Sequence, residues 1–190
     1  AIDKDFAINL STAHTGSIMG SEVVFVGAGY SDSTRDDYKG INARGKIVLI
    51  LPGQAPAATT GRRNPFGGVY EAAMKNGAAA VLQVQPNFPR RAGAARGGLY
   101  TSAFRTTNPP NLFGISEQVA EAIMGADFAA AKEAVKNNTA QPKLYKANIQ
   151  LGFAKATIKI ESSNVIGVVE GTDKKDEYVI ITSHYDHVGK

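Results

Sequence analysis

Residues 45–53 read Gly-Lys-Ile-Val-Leu-Ile-Leu-Pro-Gly, and this stretch decides the architecture of the chain. Five consecutive apolar residues, Ile47 to Leu51, lie between a Gly-Lys opening and a Pro-Gly stop, the pattern of a buried strand. A small, polar, proline-punctuated loop runs from 53 to 65. Residues 69–76 then switch to helical spacing. Val69, Tyr70, Ala73 and Met74 share a face, and Gly77 suits the left-handed position after the last turn. Residues 78–84 (AAAVLQV) return to a strand pattern. Strand, helix and strand in this order predict a crossover that sets two parallel strands side by side, with the helix on one face of the sheet.

Further elements extend this unit in both directions. Upstream, residues 22–27 (EVVFVG) are β-branched and aromatic and read as a strand, followed by a turn-rich stretch over 31–45. Downstream, 111–115 is a short apolar strand and Ser116 is placed to cap a helix carrying Val119, Ala122 and Ile123 on one face. Gly125 ends that helix, and Asp127 is expected to cap a second one with Phe128, Ala131 and Val135 facing inward. Ile149, Leu151 and Phe153 then alternate on odd positions, whereas Ala154, Ala156, Ile158 and Ile160 alternate on even ones. That change of phase predicts a bulge or a change of sheet near 153–154. Finally, 164–169 and 178–181 read as strands. The short polar link between them (GTDKKD, 171–176) requires an antiparallel hairpin.

The chain has 190 residues, 43% of them hydrophobic and 20% charged, which is ordinary globular usage. The absence of cysteine excludes disulfides, thiolate metal sites and cysteine nucleophiles. No apolar run approaches the roughly 18 residues of a spanning helix, so no membrane span is expected in this chain. The net charge of +4 is unevenly placed. Between Arg62 and Arg105 stand seven basic residues and one acid, Glu71; this stretch carries +6 and leaves −2 for the remainder. Such a field attracts acidic partners, and Arg62, Arg63, Arg90 and Arg91 are the candidate contacts to a substrate or partner. A solvated loop is the competing reading. With few aromatics for base stacking, nucleic acid is not expected as a partner.

Catalytic chemistry concentrates in residues 182–189, Thr-Ser-His-Tyr-Asp-His-Val-Gly. In an extended chain residues two apart point to one side, so His184 and Asp186 project together. A carboxylate there fixes the imidazole tautomer and raises its basicity, the usual support of a metal-binding histidine. On spacing alone a solvated histidine competes with that reading. His14 lacks such company and reads as a surface or loop residue. A catalytic zinc needs about three protein ligands and an open position, more than this segment supplies. A Gly-x-Ser-x-Gly elbow is absent, and Gly27-Ala28-Gly29 is only the start of a dinucleotide fingerprint.

Taken together, 22–29 (EVVFVGAG), 45–51 (GKIVLIL), 71–84 (EAAMKNGAAAVLQV) and 111–125 (NLFGISEQVAEAIMG) resemble a protease-associated (PA) domain over roughly residues 15 to 140. Residues 164–171 and 178–189 are similar to the opening of the di-zinc aminopeptidase family related to glutamate carboxypeptidase. The resemblance implies an α/β, β-rich fold, a swivelling β/β/α sandwich or barrel with flanking helices, plus the C-terminal hairpin of a peptidase domain. It divides the chain into an N-terminal strand or linker (1–14), the PA domain (15–145) and the first peptidase strands (146–190). By the match His184 is a zinc ligand and Asp186 the acid that orients it. The resemblance further implies that the PA domain acts as lid or adaptor over the cleft of an extracellular, periplasmic or cell-surface zinc aminopeptidase that releases N-terminal residues. The family's other ligands and its paired glutamates are not in this chain. It is therefore expected to be a truncated piece, inactive alone, that holds none of the parent's two zinc ions stably. Its implied partners are a peptide or protein substrate and the rest of its own peptidase domain. A stand-alone peptide-binding PA module using the basic loops is the alternative.

Overall fold

The computed structural model describes residues 1–8, 13–54, 67–90, 110–156, 161, 163–174 and 176–184. Two compact units divide at 155/156, Ala1–Lys155 and Ala156–Lys190. The first holds six strands and three helices among the described residues: β1 (Phe6–Ile8), β2 (Gly16–Phe25), β3 (Ile47–Ile50), α1 (Gly67–Lys75), β4 (Ala80–Val84), β5 (Asn111–Ile115), α2 (Glu117–Met124), α3 (Asp127–Lys136) and β6 (Lys143–Phe153). The class is mixed α/β, built on one curled sheet that forms half a barrel.

The sheet order is β1-β5-β4-β3-β2-β6. The inner four strands are parallel, and the outer two, β1 and β6, run antiparallel to their neighbours. The expected β3–α1–β4 crossover is present, with Ile47 to Ile50 in register against Ala80 to Gln83. β3 is apolar throughout because both of its faces are covered. Ile47, Leu49 and Leu51 enter a core with Val23, Phe25, Leu82 and Phe113, closed by Ala120 and Met124 of α2 and Phe128 and Val135 of α3. Val48 and Ile50 enter a second core with Val24, Val81 and Leu112, closed by Val69, Ala72 and Ala73 of α1 and by Tyr38.

Local signals place the helix ends. Ser116 caps α2, its side chain accepting the Val119 N–H at 3.3 Å. Gly77 follows α1 at φ 69°. Several faces differ from the expectation. α2 turns Ala120 and Met124 inward, flanked by half-buried Val119 and Ile123, and leaves Ala122 exposed. α1 buries Ala72 instead of Met74, which is 44% exposed. Asp127 does not cap α3, because Ala126 holds that position without a side-chain bond. The Asp127 carboxylate instead accepts from the Lys143 ammonium and, at 3.1 Å, from the Tyr145 hydroxyl. Those two bonds, Lys143 first, hold its carboxyl below the usual carboxylate range. Burial, then the bond to Asp127, pushes the Tyr145 phenol up to about 12.

β6 spans the expected domain boundary at 145/146 and lies whole within the first unit. Its odd residues from Tyr145 to Leu151 pack on the core, and the strand stops at Phe153, where a change of phase is expected. The break of phase inside the sheet lies instead in β2. Its register against β6 slips by one residue, Gly20 facing Ile149 and Glu22 facing Lys146. Inward positions are therefore even before the slip (Ile18) and odd after it (Val23, Phe25).

The C-terminal hairpin is not formed. No ladder joins 164–169 to 178–181 among the described residues. Val165, Ile166, Val168, Val169 and Tyr178 to Ile181 are 80–97% exposed. Strand propensity expresses itself only where a pleated surface can pack, and the described residues offer these segments none.

Candidate functional site

Loops that leave the C-terminal ends of parallel strands share one rim of the sheet. Here that rim receives the segment after β2, the chain from Leu51 after β3 and the chain from Gln85 after β4. The segment after β2 folds into a polar node. Asp32 accepts from the Thr34 hydroxyl (2.7 Å), the Thr34 N–H (2.7 Å) and the Arg35 N–H (2.9 Å). Those bonds, the hydroxyl first, hold its carboxyl below the ordinary range. The Arg35 guanidinium donates to Asp37 at 2.6 Å, to Asn138 at 2.8 Å and to the Gln54 carbonyl at 3.3 Å. It also lies over the Tyr30 ring, 5.5 Å from its centroid. Asp37 accepts in turn from the Tyr30 N–H at 3.0 Å. With Arg35 and Asp37 only 19% and 11% exposed, this is a screened guanidinium bonded through Nε and Nη1. It ties together the exit of β2, the exit of β3 and the end of α3. The sequence carries no signal for it, since Asn138 lies 103 positions from Arg35.

Tyr38, 3% exposed, packs below this node against α1. Burial, then the charges of Asp37 and Asp36, pushes its phenol far up. Its hydroxyl is buried with no hydrogen-bond partner among the described residues. A buried hydroxyl that makes no bond costs its desolvation. Tyr38→Phe is therefore expected to leave stability unchanged or raise it by up to about 1 kcal/mol. Urea unfolding checks this, and a clear loss would show that the hydroxyl is bonded.

The sequence-derived site residues fall in different places. Arg62 and Arg63, between Gln54 and Gly67, lie outside the described residues, as do Arg91 and Asp186. Arg90 is described and engaged. Its guanidinium meets Asp3 at 3.6 Å and lies 5.4 Å from the centroid of the Phe88 ring, while its N–H donates to the Asp3 carbonyl at 2.6 Å. It holds the N-terminal turn against the exit of β4. His184 belongs to the second unit and is exposed, in a segment that forms no helix or strand. His14 is half-buried, its backbone clamped by Asn111, whose side chain accepts its N–H at 2.9 Å and donates to its carbonyl at 2.8 Å.

Among the described residues no three His, Asp or Glu side chains come together to hold a metal. A different surface feature lies on the outer face of β2 and β6 at the register slip. A shallow groove of about 460 Å³ is lined there by Met19, Gly20, Ser21, Asn148, Ile149 and Gln150. No protein-family model matches this chain, and no curated protein matches it. Any functional reading therefore stands on the residues themselves.

Proposed function

We propose that this chain is the protease-associated portion and first metal-ligand strand of a secreted zinc-dependent aminopeptidase, its rim loops serving as lid or adaptor over the substrate cleft. The observation that carries this reading is the order of elements along one sheet. A Gly-Lys-Ile-Val strand, a covering helix and a Gly-Ala-Ala-Ala-Val strand form a parallel crossover. A closing strand and capped helix follow, and then an apolar segment that leads to His184. Mobile or charged loops on a rigid rim are where binding residues collect. The basic segments after β3 and β4 leave neighbouring parallel strands and so start from the same rim.

In this reading His184 supplies one imidazole to the metal, and Asp186 orients it and raises its basicity. The test is His184→Ala in the intact aminopeptidase, read as release of N-terminal residues from peptides. A loss of about 100-fold, with the fold retained by circular dichroism, is expected for removal of a ligand or its support. Undiminished activity would refute the assignment.

A further inference from the structure

α3 ends in a turn of three exposed polar residues that the fold uses unequally. Asn137 closes the helix, its backbone N–H donating to the Glu133 carbonyl at 3.1 Å. Asn138 follows at φ 55°, and its side chain accepts from Arg35 in the rim node. Thr139 turns back on the helix, its N–H and hydroxyl donating to the Ala134 carbonyl at 2.8 and 3.3 Å. Asn138 and Thr139 are thus committed to the fold. The Asn137 carboxamide finds no partner among the described residues.

In sequence the same three residues are Asn-Asn-Thr, an asparagine followed two places later by threonine with no proline between. That spacing is the acceptor pattern for an asparagine-linked glycan on the surface of an exported protein. It occurs at one other place, Asn9-Leu10-Ser11, which lies outside the described residues. The pattern alone is common, and the fold decides whether a bulky sugar is tolerated. At Asn137 the side chain stands in water at a helix end, so a sugar on Nδ2 displaces no described contact. Asn138, one step on, has Ala140 two places later and a side chain spent on Arg35.

We propose that Asn137 is an acceptor for an N-linked glycan. Its Nδ2 attacks the anomeric carbon of a lipid-pyrophosphate-linked oligosaccharide. The bond from that carbon to the phosphate oxygen breaks, the lipid pyrophosphate leaves, and one amide proton passes to a base of the transferase. The Thr139 hydroxyl that completes the pattern is bonded to Ala134 in the folded turn, so transfer precedes closure of that turn. The sugar then stands one residue from the Arg35 node, which joins the exits of β2 and β3. Use of the site in the native cell rests on the secreted reading above.

The test is translation of the 190-residue chain, behind a cleavable export leader, in a cell-free system with microsomal membranes. Asn9→Gln removes the other acceptor. In that background the membrane-protected chain should show a single mobility shift that peptide-N-glycosidase reverses, leaving aspartate at position 137. Asn137→Gln and Thr139→Ala should each abolish the shift, whereas Thr139→Ser should keep it. The leader supplies export, so the result is independent of whether His184 binds a metal, and His184→Ala should leave the shift unchanged. A protected chain without the shift, or a shift that survives Asn137→Gln, would overturn the proposal. Chain secreted from insect cells should melt at the same temperature before and after glycosidase treatment. A sugar that lowers the melting temperature would show that Asn137 is not a free position.

Discussion

Leu49→Ala is expected to lower the stability of the first unit by about 3 kcal/mol, within the range for truncating a buried leucine. Leu49 is 0% exposed at the centre of β3, in register between Phe25 of β2 and Leu82 of β4. Hydrogen-bonded strands fix its neighbours on both sides, so the site cannot collapse around the missing methyls and a cavity remains. For a unit of this size the loss corresponds to a fall in Tm of roughly 6–12 °C. Met74→Ala is the comparison. That side chain is 44% exposed on α1, and its removal should cost less than about 1 kcal/mol. Denaturant melts of the two variants measure the difference. Equal costs would show that Leu49 does not sit in a close-packed core.

Gly29→Ala should cost a comparable amount, about 3 kcal/mol, for two additive reasons. Its φ of +80° lies in the left-handed region, where a Cβ is disfavoured by about 1–2 kcal/mol. The added Cβ would also stand 2.7 Å from Ile50 Cγ2 and 3.3 Å from Val69 Cγ1, between β3 and α1. Neither neighbour is the free end of a long side chain, so relief requires the strand or the helix to shift. Gly40 separates the two causes. Its φ is +83° but no atom of the described residues lies within 4 Å of the added carbon. Gly40→Ala should therefore show the backbone cost alone. If the two alanine variants melt together, the contact with Ile50 contributes nothing and the packing argument fails.

The parts of the fold legible in the sequence are those whose cause is local. Ile47–Ile50, α1 and Ala80–Val84 are apolar or amphipathic runs bounded by glycine and proline, and Ser116 announces α2 by a hydroxyl three residues before the N–H it accepts. What was not legible depends on distant partners. The first half of β2, Gly16 to Ser21, has little strand propensity and is a strand because β6 pairs with it. Asp127 resembles a cap, but its carboxylate is drawn off by Lys143 and Tyr145, which only the return of β6 brings near. Conversely, Val165 to Val169 and Tyr178 to Ile181 have the composition of strands without a described surface to complete them. The candidate site divides in the same way. The His-x-Asp pair at 184 and 186 is a local motif, whereas the Arg35 node needed Gln54 and Asn138 to arrive from other elements.

The pairing of Gly16 with Phe153 and of Phe25 with Lys143 also bears on how this chain acquires its shape. The β3–α1–β4 unit closes a short loop and can assemble early, at small entropic expense. β2 reaches its last neighbour only across more than a hundred intervening residues. On the ribosome, the sheet must wait for residue 153 to emerge before its final seam is sewn, leaving the flank of β2 open to chaperones and to misplaced strands until then.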